Sequence, residues 1–249
     1  MKKVILLTVL LILSKAVAGQ EIIVAVAANV QFVIEDLQKE FESKNEIRLK
    51  IVTNSSGKLT AQIQSGAPFD VFLSADMKYP EALFASGHAD SLPKVYAYGT
   101  LVIWTIKNLD LTKGLEMLTG GDIHKVAIAN PQNAPYGTAA EEALKFYRIY
   151  EEVKPKLVYG RSVAQANQYI LSGAAEAGFT SKSTVLSPGM KGRGQWTEID
   201  SAAYSPIEQG AVILKHGREN HPDASEVFYN FLFSEAARQI FKNYGYRLP

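Results

Sequence analysis

The run Glu21-Ile22-Ile23-Val24-Ala25-Val26-Ala27 has no polar residue after its first position. It lacks the in–out alternation of a half-exposed strand and fits a strand covered on both faces. Residues 30–43 follow, with Phe32, Val33, Leu37 and Phe41 at helical spacing. The pattern then repeats. Residues 49–52 and 69–74 read as strands, and residues 58–65 and 78–85 as helices that stop at Gly66 and Gly87. A strand–helix–strand–helix–strand order with short connections requires parallel neighbours and helices packed on the faces of the sheet.

A second unit of the same kind begins near residues 96–101. Residues 101–105, 126–129, 157–159 and 177–180 read as strands, and 138–151 and 163–171 as helices. Residues 209–214 return as a strand, followed by helices over 224–233 and 235–244 that pack back onto the first unit. The expected organisation is two α/β lobes, residues 19–99 with 204–249 and residues 100–203. The two crossovers, near Gly99 and near Ala203, are expected to act as hinges. Tyr96, Tyr98 and Tyr204 lie beside them and read as core or hinge packing. Ligands of open α/β sheets sit outside the carboxyl ends of the strands, so the strand-to-helix junctions are where a site belongs.

Ahead of the first strand stand Lys2 and Lys3, an apolar run over 4–13, and Ala16-Val17-Ala18. The run is too short to span a bilayer, and the order is that of a cleaved signal peptide over residues 1–18. Removing Lys2, Lys3 and Lys15 from 26 basic residues leaves 23 against 25 acidic ones. That near-neutral balance argues against nucleic acid or an anionic membrane surface as partner. There is no Cys, which excludes disulfides, thiolate metal sites, cysteine nucleophiles and lipid attachment through cysteine. An exported chain of this length must then rely on apolar cores.

Thr53-Asn54-Ser55-Ser56-Gly57-Lys58-Leu59-Thr60 has the Gly-Lys of a phosphate-binding P-loop. The full pattern needs Gly where Val52 stands and Ser or Thr where Leu59 stands, so it fails twice. The stretch is nonetheless one of four junctions that end alike. Ala28-Asn29 follows the first strand, with Asn29 in cap position. Asn54-Ser55-Ser56-Gly57 follows the second, with Ser56 as cap. The segment from Asn130 to Thr138, containing Tyr136, follows the strand at 126–129, and Gly160-Arg161-Ser162-Val163 the strand at 157–159. A helix start carries unpaired N–H groups and about half a unit of positive charge. Any one junction is explained by ordinary capping. Four at the correct sheet ends, two per lobe, make a cage for an anion without a formal charge. Six or seven hydrogen bonds to a charged acceptor would supply on the order of 10 kcal/mol, which suits sub-micromolar affinity.

Other chemistry finds little support. His88, His124, His216 and His221 have no metal-ligand spacing and read as surface residues. No G-x-S-x-G elbow is present to start a secreted hydrolase. Asp76 reads as a helix cap rather than half of an acid pair with Asp70, and Lys58 as a solvated first-turn residue. The Gly-rich basic stretch around Arg193 reads as a surface turn. The tyrosines beside the crossovers lack the acidic partners that a ferric site would need.

The blocks AVAANVQFVIEDLQKEFE, NSSGKLTAQIQSGAPFDVFLSAD, AIANPQNAPYGTAAEEAL and LVYGRSVAQANQYILSGAAEAGF, with the closing AARQIFKNYGY, resemble the periplasmic molybdate-binding proteins of ABC transporters. The likeness covers nearly the whole chain after residue 18. It implies the type II periplasmic binding protein fold, two lobes each with a mainly parallel sheet flanked by helices, and a ligand in the cleft between them. It implies that molybdate or tungstate is held by Ala28, Asn29, Ser56, Tyr136 and Val163, through backbone amides and uncharged side chains, with no direct metal ligand. In one branch of the family the first loop carries Ser and a Tyr hydroxyl joins the site; here Asn29 and Ser181 stand instead, the pattern of the other branch. The resemblance also implies a monomer without a cofactor or enzymatic activity, which delivers its ligand to a membrane permease. Sulfate, phosphate or ferric ion are the other ligands this fold class would suit.

Overall fold

The computed structural model describes residues 20–249, so the signal peptide expected over 1–18 lies outside the described residues. The first lobe opens with β1 (Glu21–Ala27), α1 (Val33–Glu42), β2 (Arg48–Asn54), α2 (Ser56–Gln64), β3 (Val71–Leu73), α3 (Lys78–Ala85) and β4 (Lys94–Gly99). The chain crosses at Thr100 and builds the second lobe from β5 (Leu101–Thr105), β6 (Val126–Ala129), α4 (Pro135–Phe146), α5 (Tyr150–Val153), β7 (Leu157–Gly160), α6 (Val163–Leu171), β8 (Ala177–Ser181), α7 (Lys182–Leu186) and β9 (Gln195–Glu198). It returns through a 3-10 turn, Ser201–Ala203, to β10 (Ile207–Ile213), α8 (Lys215–Asn220), α9 (Pro222–Phe231) and α10 (Glu235–Asn243).

The sheets have strand orders β2-β1-β3-β10-β4 and β7-β6-β8-β5-β9. In each, the first three strands are parallel, as the strand–helix alternation requires, and the last two pairings are antiparallel. The reversed strand is the one reached directly after a crossover, β5 in one lobe and β10 in the other. The sheets are therefore mixed, with the expected parallel half confined to the strands that carry the junctions. The two lobes share one topology although their sequences show no repeat.

Alternation along β1 sorts its side chains onto two cores. Ile22, Val24 and Val26 pack with Leu37, Phe41, Phe228 and Phe241 on one face. Ala25 packs with Leu59, Ile63, Phe72 and Leu83 on the other. The second sheet does the same, with Val102, Trp104 and Ala127 on one face and Leu101, Ile103, Val126 and Ile128 on the other. Both faces of both sheets are covered at their centres, which is why β1, β3, β5 and β6 read as apolar runs.

Several boundaries move from their sequence positions. The helix expected from residue 30 is split into a 3-10 turn, Ala28–Val30, and α1 from Val33. The helix expected over 138–151 begins at Pro135, whose ring pre-sets the first-turn φ. It ends at Phe146, before Arg148 adopts φ 61° and α5 starts. The turn around Arg193 leads into β9, a short half-exposed edge strand whose alternation is too brief to stand out in sequence.

Candidate functional site

The four junctions lie at the carboxyl ends of parallel strands. In the ladder of β1 with β2, Ala27 pairs with Asn54, the last residue of each strand. In the ladder of β6 with β7, Ala129 pairs with Gly160, again the last of each. Each lobe thus brings its two junctions side by side. The lobes then face each other there. Ala27 and Ala75 of the first pack in one apolar cluster with Ala134, Tyr136 and Val163 of the second. The Gly57 amide donates to the Asn133 carbonyl at 3.0 Å, and the Ser183 hydroxyl donates to the Asn29 carbonyl at 2.9 Å. The structure therefore brings all five predicted residues to one buried seam: Ala28, Asn29, Ser56, Tyr136 and Val163 are between 1% and 4% exposed.

The helix starts differ in detail from the sequence reading. Ser56 is the first residue of α2, not its cap; Ser55 holds the cap position and makes no capping bond. The Ser56 hydroxyl oxygen accepts from the Ala75 amide at 3.0 Å, which leaves its proton free to donate. Ser55 Oγ is buried without a partner. Tyr136 is the second residue of α4, after Pro135. Val163 opens α6 behind Ser162, which caps the Gln165 amide. Asn29 caps nothing. Its carboxamide nitrogen reaches Gln209 Oε1 at 2.8 Å and the Tyr246 hydroxyl at 3.2 Å.

Those contacts expose a polar layer that sequence reasoning missed. Gln209, Tyr246, Tyr96 and Ser183 lie behind the junctions and are bonded to one another or to Asn29. Gln209 also reaches the Tyr136 hydroxyl at 3.4 Å across the lobes. The available signal was Gln209 itself, a polar residue inside the apolar β10 run and 0% exposed. Burial pushes the phenols of Tyr96 and Tyr136 well above the ordinary tyrosine value and that of Tyr246 up to about 12. All three are neutral at physiological pH and add no negative charge. Ser181 caps α7 and is bonded to Ser183 and Thr184, so its hydroxyl is already engaged. Tyr204 accepts from the Leu101 amide at 3.1 Å, a buried contact beside both crossovers.

Charge is kept to the margins. Among the described residues Asp70 is the one charged side chain in the buried set, and it precedes β3, at the opposite end of the strand from the junctions. Lys58 and Arg161 line an open cavity of about 390 Å³ at the mouth, with Asn54 and Ser162. Asp76 accepts from the Tyr79 amide at 3.4 Å near the start of α3, and burial raises its carboxyl above the ordinary aspartate value.

His216 and His221, expected at the surface, are half-buried there and engaged. Each places Nδ1 2.9 Å from Asp70 Oδ1, while Asp70 Oδ2 accepts from the Ile23 amide at 2.6 Å. The three side chains could hold a metal by residue type. The 2.9 Å separations are those of N–H···O bonds, shorter than the edge of about 3.3 Å that bonds of about 2.0 Å to a tetrahedral zinc would impose. The cluster is a hydrogen-bonded anchor that ties the α8–α9 segment to the start of β3.

A profile of bacterial extracellular solute-binding proteins matches residues 22–247. The molybdate-binding protein of Azotobacter vinelandii is 36% identical over 95% of this chain and 94% of its own length. That of Rhodobacter capsulatus is 37% identical over 92% and 89%. The solved structure of the Azotobacter vinelandii periplasmic molybdate-binding protein superposes with a TM-score of 0.86 at 33% identity, covering 92% of this chain and 99% of that one. The architecture is the type II periplasmic binding protein fold, and the chain belongs to the bacterial extracellular solute-binding protein family, alongside these molybdate-binding proteins.

Proposed function

We propose that the protein captures molybdate or tungstate between its lobes in the periplasm and delivers it, as a monomer, to the membrane permease of an ABC transporter. The observation that carries this reading is the meeting of three helix starts and the Ser56 hydroxyl in a buried seam where, among the described residues, no fully buried side chain at that end of either sheet is charged; the half-buried Asp76 there is engaged by the Ser74 hydroxyl and the Tyr79 amide. Such a seam offers hydrogen-bond donors at fixed directions and a partial positive field. The holding groups are the amides at Ala28, Tyr136 and Val163, the Ser56 hydroxyl and amide, and Asn29. The oxyanion is cargo and no covalent step is involved.

A proton-free tetrahedral dianion has acceptors on every corner, and donors alone satisfy it. Phosphate at neutral pH carries a proton, which would face another donor at a cost of about 1–3 kcal/mol. Sulfate is proton-free but smaller, and rigid helix starts cannot all close onto it. Tungstate is nearly the size of molybdate and is accepted. Thermal unfolding with added anion tests the assignment. Ligand at about a thousand times a sub-micromolar Kd adds about 4 kcal/mol, so molybdate and tungstate should each raise Tm by roughly 8 °C or more. No shift with either anion would contradict the reading.

A further inference from the structure

A carboxamide has the same shape whichever way its oxygen and NH2 group point, so hydrogen bonding decides between the two orientations. Asn29 and Gln209 are both at most 1% exposed, and their orientations are coupled. In the orientation shown, Asn29 gives its NH2 to Gln209 Oε1 and the Tyr246 hydroxyl, and its own Oδ1 is buried with no partner. Tyr96 is short as well. Its one proton faces two acceptors, the Ser74 carbonyl at 3.2 Å and Gln209 Oε1 at 2.9 Å.

Turning both carboxamides over removes both deficits together. Gln209 then gives one NH2 proton to Asn29 Oδ1 and the other to the Tyr96 oxygen, and Tyr96 is free to donate to Ser74. The Gln209 oxygen accepts from the Tyr136 hydroxyl, the contact now 3.4 Å long. Every polar group of Asn29, Gln209 and Tyr96 has a partner except the Asn29 NH2, which stands where the orphaned Oδ1 was.

We infer that Gln209 is a positioning residue that holds the Asn29 carbonyl inward, so that the Asn29 NH2 faces the bound oxyanion. The inference rests on the anion-site reading above and adds to it a residue that never touches the ligand. It also gives the seam its selectivity against a protonated anion. An Asn29 turned the other way would offer an acceptor to phosphate.

The test is a double-mutant cycle read by calorimetric titration with molybdate. Gln209→Met fills the space but neither donates nor accepts, and should weaken binding about tenfold; on an Asn29→Ala background it should cost less than about twofold. Gln209→Glu keeps the shape. As a carboxylate it only accepts, forces Asn29 to present oxygen to the anion, and should weaken binding about a hundredfold near pH 8. As a carboxylic acid it donates again, so lowering the pH to about 6 should recover about tenfold, with wild type and Gln209→Met changing less than about twofold. If Gln209→Met does not fold, Gln209→Glu carries the test through its pH dependence. Equal costs of Gln209→Met on both backgrounds, or a Gln209→Glu affinity indifferent to pH, would overturn the inference while leaving the anion site standing. Wild type that does not bind molybdate would overturn both.

Discussion

The Gly57 amide donates to the Asn133 carbonyl at 3.0 Å and joins the start of α2 in one lobe to the loop before α4 in the other. The approach is close because Gly57 has no side chain. A Cβ there would stand 2.7 Å from Asn133 Cβ and 2.9 Å from Asn133 Cα across the lobes, and 2.7 Å from the hydroxyl of Tyr79 in its own lobe, the far end of a side chain that is free to shift when the lobes part. Gly57 does not have a positive φ, so alanine suits α2 itself. Gly57→Ala should therefore leave the Tm of the ligand-free protein equal or slightly higher. It should hold the lobes apart and weaken molybdate binding by about 1–3 kcal/mol, roughly 5- to 150-fold. Calorimetry for affinity, with small-angle scattering for closure, reads the two effects separately.

Ser56→Ala removes one donor from the seam and an acceptor from Ala75. Affinity should fall by about 1.5–3 kcal/mol, the value of a hydrogen bond to a charged group. Stability of the empty protein should fall by about 1–3 kcal/mol, because the buried Ala75 amide loses its partner. Denaturant unfolding and ligand titration on one sample separate the losses.

Asp70→Asn tests the anchor at the far end of the sheet. An asparagine cannot accept from both histidines and from the Ile23 amide, since one of its two terminal groups is a donor. The expected loss is about 1.5–3 kcal/mol, or about 3–12 °C in Tm. Molybdate affinity should change less than about twofold, because this cluster and the junctions sit at opposite ends of β3.

The buried phenols predict alkaline lability. The raised folded values of Tyr96, Tyr136 and Tyr246 mean that the native state keeps protons the unfolded chain would release. This contribution is fully present below the unfolded value of about 10 and is lost as pH rises toward the folded values. Unfolding should steepen between about pH 10 and 12, and the tyrosinate absorbance of these three should appear only with loss of near-UV circular dichroism. Their ionisation in the folded protein would contradict the buried layer.

The parallel half of each sheet was legible because β1, β3 and β6 are unbroken apolar runs, which only strands covered on both faces produce. Two of the four junctions were legible because they follow such runs, β1 and β6; the other two, after β2 and β7, were legible from their Asn, Ser and Gly residues ahead of a helical pattern. The one-residue error at Ser56 arose because Ser55 and Ser56 offer the same cap chemistry, and only the Ala75 contact distinguishes them. Residues far apart in sequence were not legible. Asn29 meets Gln209 across 180 positions and Tyr246 across 217, and Asp70 meets His216 and His221 across 146 and 151. Local spacing carries no trace of these contacts, so two histidines that anchor a helix pair read as solvent-facing.

The most direct measurement is calorimetric titration with molybdate, alone and against sulfate or phosphate at equal concentration. If the proposed site holds the oxyanion through uncharged donors alone, the molybdate Kd is sub-micromolar and neither competitor shifts it by more than about twofold. Displacement of molybdate by equimolar sulfate or phosphate would contradict it.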